Sequence, residues 1–210
     1  MDYSLDTKAA IKADNKNAFI FQTGKYLGRF TRAEMVTSPK GTKGVDFSFV
    51  SDEEEKADYL TLWTHNNKGE RLSGYDCLMA IMTCLRVKDI KPENCAIEKY
   101  DFEAKQMVRQ TVPLYLDLMD KPIGLLLQME EYIKGSGIPA WKPQIYAPFD
   151  KDEFTASEIL GKAVKREKLE KMVLLLKDRP LKNQAQAAPQ ATPQSSGHGN
   201  ADGFDDDIPF

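Results

Sequence analysis

Three stretches in the first third of the chain alternate apolar and polar residues with the period of two that a half-buried strand requires. They are Lys25–Thr37 (KYLGRFTRAEMVT), Val45–Val50 (VDFSFV) and Tyr59–Thr64 (YLTLWT), separated by the Gly- and Pro-containing segment 38–44 and by the acidic run 51–55. From Gly74 to Val87 the spacing changes to that of a helix, with Leu78, Ile81, Met82 and Leu85 on one face. A strand is expected around Ala96–Ala104, Met107–Met119 fits neither period, and strands follow at Ile123–Ile133 and Trp141–Phe149. Pro139, Pro143 and Pro148 restrict the last of these to a sheet edge, because each lacks an N–H for one of the two ladders. A charged helix is expected over Ala156–Leu176, stopped by Pro180.

Three strands, a helix and two further strands make a mainly β chain, in the order of a five-stranded Greek-key barrel with a helix between strands 3 and 4, the OB-fold. Residues 88–121 are long for the connection to strand 4 and are expected to add a hairpin or a clamp. Tyr3–Lys16 reads as a short helix or an arm. Residues 1–180 therefore form one domain with a C-terminal helix, and 181–210 form a linker and tip. The linker, LKNQAQAAPQATPQSSGHGNA, is expected to be disordered, since it has too little apolar surface to offset the entropy of ordering it.

Charge divides the chain unevenly. The formal net charge is −3, yet residues 183–210 hold four Asp and no Lys or Arg, which leaves +1 on the rest. That asymmetry suits a nucleic-acid-binding body with an acidic arm. The polar N-terminus has no signal-peptide pattern and no apolar run is long enough to span a membrane, so a cytoplasmic protein is expected. Cys77, Cys84 and Cys95 lack paired metal-ligand spacing, and His65 and His198 lie far apart. Buried or incidental thiols, no metal and no cofactor are the expectation.

A binder of single strands needs cations along the phosphates and flat side chains against which bases stack. On the third strand Leu60 and Leu62 share one face, leaving Tyr59, Thr61 and Trp63 on the other. Tyr59 and Trp63 are stacking candidates unless the strand is buried on both sides. On the second strand Val45, Phe47 and Phe49 are expected in the core. Tyr26, Arg29, Phe30 and Arg32 supply a basic and aromatic mixture on the first strand. Lys40 and Lys43 lie on a Gly-flanked loop that either follows a backbone or only confers solubility. Trp141, Lys142 and Tyr146 repeat the theme on the last strand.

The tip Phe204-Asp205-Asp206-Asp207-Ile208-Pro209-Phe210 has carboxylates for a cationic partner, an apolar Ile and Phe for a groove, and a Pro that limits conformation. It resembles the end of bacterial single-stranded DNA-binding proteins, in which an acidic run followed by Ile-Pro-Phe recruits replication and repair enzymes. The pattern Gly24-x-Tyr26, Ser38-Pro39-Lys40-Gly41-Thr42-Lys43-Gly44, Tyr59-Leu60-x-Leu62-Trp63-Thr64 and Gly74-Tyr75 before an apolar helix resembles single-stranded DNA-binding proteins encoded by tailed phages. The body does not resemble the tetrameric bacterial type, so a monomer or small homo-oligomer is expected. These resemblances imply sequence-tolerant coating of single-stranded DNA during phage replication, recombination and repair in a bacterial host cell. They also imply recruitment of host or phage enzymes through Asp205, Asp206, Asp207, Ile208, Pro209 and Phe210. From charge alone, Asp202 and Asp205–Asp207 are expected to fold back on the cationic groove and compete with phosphate when DNA is absent, and to be released to partners when DNA is bound.

No catalytic constellation is legible. Asp52-Glu53-Glu54-Glu55 reads as a solvated charge run, and there is no Walker-type loop, nucleophile elbow or suitably neighboured His. A non-enzymatic role is expected, with a recombination mediator or annealing protein, or a replisome adaptor that does not touch DNA, as the alternatives.

Overall fold

In the computed structural model, which describes residues 4–7, 19–101 and 105–181, the three alternating stretches form an antiparallel meander. Its strands are β1 (Gly24–Thr37), β2 (Lys43–Ser51) and β3 (Lys56–His65). Phe30, Phe47, Phe49, Leu60 and Leu62 turn inward, with the Phe30 and Phe47 rings 4.4 Å apart. Simple alternation fails at two bulges. One follows Phe30, where Arg32 rather than Thr31 resumes the pairing with Ser48, so Phe30 and Ala33 both reach the core although three residues apart. The other lies between the pairs Phe47–Leu60 and Phe49–Ala57, where β3 carries an extra residue.

β1 serves two neighbours. Gly24–Arg29 pairs with β6 (Pro122–Ile133), while Gly28–Thr37 pairs with β2. At the overlap Gly28 comes so close to β2 that a Cβ would lie 2.1 Å from the Val50 carbonyl oxygen, which is why the crossing needs glycine. β6 turns back into β7 (Pro139–Phe149), whose only strand partner among the described residues is β6; this agrees with the edge position its prolines demand. β7 also approaches β3. Helix α1 (Ser73–Cys84) packs against β3 and β7 and inserts Leu78, Ile81 and Met82 into the core.

Between α1 and β6 the long connection forms a hairpin, β4 (Glu93–Asp101) and β5 (Gln106–Leu114), followed by a 3-10 turn at Leu116–Leu118. The result is a mainly β chain with a seven-stranded antiparallel sheet rather than five strands. The hairpin is tied to the body by the pair Glu34–Leu114 and by the Lys99 ammonium, 2.9 Å from the Glu34 carboxylate.

One expectation is corrected at the C-terminal end. Ala156–Leu176 is not one helix but two, α2 (Ala156–Leu160) and α3 (Lys168–Leu175). Glu158 is the cause of the break's stability. Its carboxylate accepts from the Thr155 N–H and hydroxyl, closing the capping box of α2, and from the N–H groups of Glu167 and Lys168 at 2.8 and 2.9 Å, where α3 begins. Burial alone would raise its pKa, but these bonds win and hold it down to about 2. α3 covers Leu126, Ala147 and Phe149 with Leu169, Met172 and Leu176. The chain then runs beside β6, with the Arg179 N–H donating to the Met129 carbonyl at 2.8 Å. Most of Tyr3–Lys16, and the linker and tip from 182 to 210, lie outside the described residues. Among the described residues no helix is long and apolar enough to cross a membrane.

Candidate nucleic-acid interface

The sheet has two polar regions on its outer side, and some of the expected site residues fall in each, while Trp141, Lys142 and Tyr146 lie on β7 and Phe30 in the core. Over the middle of β1 and β2, Arg32 donates to Glu34 at 2.8 Å and to Asp46, Asp46 accepts from the Thr61 hydroxyl at 2.6 Å, and Lys99 closes on Glu34 from β4. Burial raises the Asp46 pKa against the opposing pull of Thr61 and Arg32. Arg32 is therefore not an available phosphate ligand: the bulge turns it outward, but two carboxylates neutralise it and little of it reaches solvent. Phe30 is corrected as well. Its ring is 0% exposed between Phe47 and Phe49 and cannot meet a base.

Next to this network a cleft of about 530 Å³ separates the β4–β5 hairpin from the sheet. Arg29, Arg32 and Lys56 line it, but so do Glu54, Asp58 and Glu98. Such a balance gives a polyanion no net attraction. Arg29 itself sits 3.6 Å from Asp120. Tyr26, also on β1, packs its ring at the margin of the core and donates its hydroxyl to the Gln22 carbonyl at 2.9 Å. Burial, with Glu55 and Glu53 nearby, raises its pKa.

The end of the same sheet is different. The β1–β2 turn is built by Ser38, whose carbonyl accepts from the Gly41 N–H and whose hydroxyl accepts from the Thr42 N–H, with Gly41 at φ +84°. This leaves Lys40 and Lys43 exposed and sets the turn against Asn67, in the turn that follows β3. Lys43 pairs with His65, and Gly44 with Trp63, whose ring approaches the Gly44 backbone in space that a Cβ would occupy. Beyond the turn, Arg71 bridges back to His65 and lays its guanidinium 4.4 Å from the centre of the Tyr75 ring. His65 meets the same ring edge-on at 5.4 Å.

Lys40, Lys43, Lys68 and Arg71 thus lie on or beside the two turns that flank the Lys43–His65 and Gly44–Trp63 pairs, with Arg71 and His65 against the Tyr75 ring and Glu70 in the same turn as Lys68. The sequence reading missed His65, Arg71 and Tyr75. His65 continues the Tyr59–Thr61–Trp63 face of β3 one step past the run that the residues marked, whereas Arg71 and Tyr75 belong to no alternating run and only the turn at Asn66–Gly69 signals that Arg71 folds back.

Tyr59 occupies the extra position of the β3 bulge, in the left-handed region at φ +59°, with 59% of its surface exposed. A bulky residue pays a strain of about 1–3 kcal/mol there, a pattern that gathers at functional sites. Four residues along a strand separate Tyr59 from Trp63, a span of roughly 13 Å. Trp141, Lys142 and Tyr146 lie instead on β7, along the hairpin with β6. Trp141 stands opposite Glu131, Lys142 reaches over the Tyr132 ring at 5.4 Å, and Tyr146 is the unpaired residue of a bulge. Trp141 and Tyr146 are both exposed.

Asp205 to Phe210 lie outside the described residues. Burial pushes the Cys77 and Cys84 thiols up to about 12, far from the range of a reactive thiolate. Comparison with protein-family models and with curated proteins finds no match to the chain.

Proposed function

We propose that the chain binds single-stranded DNA without strong sequence preference, on an OB-type barrel, and recruits replication, recombination or repair enzymes through the segment Asp205–Phe210. The OB-type reading rests on connectivity: a meander, a helix that plugs the core after β3, and a final hairpin whose first strand returns antiparallel to β1. The observation that carries the binding role is the end of the sheet, where the turns with Lys40, Lys43 and Arg71 flank the strand residue Trp63, Arg71 lies over Tyr75, and Tyr59 stands out farther along β3. Cations attract phosphates regardless of sequence, and aromatic faces accept any base, so the combination selects unpaired strands. The hairpin with Trp141 and Lys142 supplies a second surface of the same chemistry. It is a binding role, not a catalytic one, and it accords with the resemblance to phage-encoded single-strand binders.

Anisotropy of a labelled oligothymidylate and of a duplex of equal length, titrated with the full chain across a salt series, tests this. Preferential binding of the single strand, weakening linearly in log K against log salt, is expected. Equal binding of both, or of neither, would sink it, and binding of neither would favour a replisome adaptor.

A further inference from the structure

Two phenylalanines ahead of β1 stand outside the core. Phe19 is 50% exposed and Phe21 73%, with their rings 6.3 Å apart, while Ile20 between them is buried. The backbone holds this arrangement in place. Ile20 donates its N–H to the Lys56 carbonyl at 2.8 Å, and Phe19 bridges Lys56 in parallel, on the side of β3 away from β2. Bridge partners point to the same side of a sheet, so Phe19 shares the outer side with Lys56, Ile20 turns into the core and Phe21 returns outward. A phenyl ring has no polar atom to satisfy in water, and two exposed neighbours of this kind call for an occupant.

The surroundings say which kind. Between Ser51 and Tyr59 stand five carboxylates, Asp52–Glu55 and Asp58, against one ammonium, Lys56. Tyr26 joins this turn to the rings: its hydroxyl donates to the carbonyl of Gln22, the residue after Phe21, and its pKa is raised first by burial and then by Glu55 and Glu53. Lys56 and Arg29 line the adjoining cleft, but together with Glu54, Asp58 and Glu98, and Arg29 sits beside Asp120. Carboxylates and aromatic faces both attract cations. A phosphate backbone is repelled by this end of the sheet, whereas a peptide with Lys or Arg gains from the acids and the ring faces together, and its apolar side chains gain from covering the rings.

We propose that Phe19 and Phe21, with the Asp52–Glu55 turn, form a docking surface for a segment of a partner protein that alternates Lys or Arg with apolar residues. The apolar side chains seat against the two rings and the cations face Glu53 and Glu55. The 10 residues of β3 put about 30 Å between this surface and the basic end of the sheet, so a partner held here leaves the candidate DNA interface open. The test needs no DNA and stands or falls apart from the proposed binding function.

Amide shifts of the full chain in proton–nitrogen correlation spectra, titrated with the capped peptide acetyl-Lys-Leu-Lys-Leu-Lys-amide, provide that test. Saturable shifts are expected over residues 19–21 and 52–56. Affinity read there should fall about tenfold in Phe19→Ser/Phe21→Ser, whose side chains already meet solvent, and several-fold in Glu53→Gln/Glu55→Gln. A peptide with Glu in place of Lys should leave these amides unmoved. The acidic residues 202–210 attract the same peptide by charge, and their response should be equal in all three chains. Equal affinity at 19–21 in the phenylalanine variant, or shifts confined to 202–210, would overturn the proposal. Displacement of the peptide from 19–21 by oligothymidylate would overturn it by assigning the rings to DNA, and shifts there that follow protein concentration alone would do so by assigning them to a second copy. Broad shifts across residues 1–12 in the peptide-free phenylalanine variant would overturn it by assigning the rings to the chain's own N-terminal residues.

Discussion

Two polar regions on one sheet, less than a strand length apart, use their cations in opposite ways. Over the middle of β1 and β2, Arg32 and Lys99 are bound to Glu34 and Asp46, and the hairpin that supplies Lys99 is held down by that bond. At the end of the sheet, Lys40 and Lys43 are exposed and Arg71 faces an aromatic ring. The first region ties its cations to buried carboxylates; in the second, Lys40 and Lys43 lie exposed on a turn. An arginine in a β-strand thus says little about binding until its carboxylate neighbours are known.

The largest effect that separates the two regions is on stability. Arg32→Met leaves Glu34 and Asp46 short of a buried partner and is expected to cost about 3–5 kcal/mol in urea denaturation. The salt slope of DNA binding should stay as it was in the remaining folded protein. A lower slope would place Arg32 on the phosphates and dissolve the contrast.

Tyr59→Ala is the converse experiment. Affinity for oligothymidylate should fall by about 1–3 kcal/mol, the worth of one stacked base, with little change in the denaturation midpoint. Unaltered affinity would remove β3 beyond Trp63 from the interface.

Glu158 tests a structural ion that belongs to neither region. Its folded pKa of about 2 lies below the ordinary 4.5, so its contribution is complete above 4.5 and is lost as the pH falls from there toward 2. Glu158→Gln should lower stability by about 2 kcal/mol at pH 7 and flatten the acid limb of the pH–stability curve across that window. An unchanged acid limb would show that α2 and α3 are joined by something other than this carboxylate.

The smallest expected change is the sharpest for the interface. Lys43→Ala should leave stability within about 0.5 kcal/mol and lower the salt slope of DNA binding by about 1. A second such step with Lys40→Ala would mark the β1–β2 turn as part of the phosphate track.

How far the sequence discloses this arrangement depends on whether the relevant signal is local. Alternation in the sequence locates β1, β2 and β3, and the helical spacing of Leu78, Ile81, Met82 and Leu85 locates α1, whereas β6 shows as an apolar run because Ile123–Leu127 are buried on both faces. Arg32 departs from the alternation because the bulge after Phe30 breaks the period of two, and nothing in the residues themselves announces it; Phe30 keeps the period with Gly28, on the side of β1 that proves to face the core. The split between α2 and α3 depends on where one buried carboxylate finds its donors, nine and ten residues away, beyond the reach of helical periodicity. His65, Arg71 and Tyr75 meet only after a turn, so their association is likewise tertiary. Lys40, Lys43 and Trp63 are legible because a Gly-flanked loop and an outward aromatic on an amphipathic strand are local features.

The central claim is that bases land on the aromatic and basic end of this sheet. With Trp141 replaced by Phe in the full chain, Trp63 becomes the sole tryptophan, and its fluorescence is followed as oligothymidylate is added at low salt. Saturable quenching that reverses on adding salt is the expected result; binding confirmed by anisotropy while Trp63 emission stays constant would contradict it and move the interface to the β6–β7 hairpin.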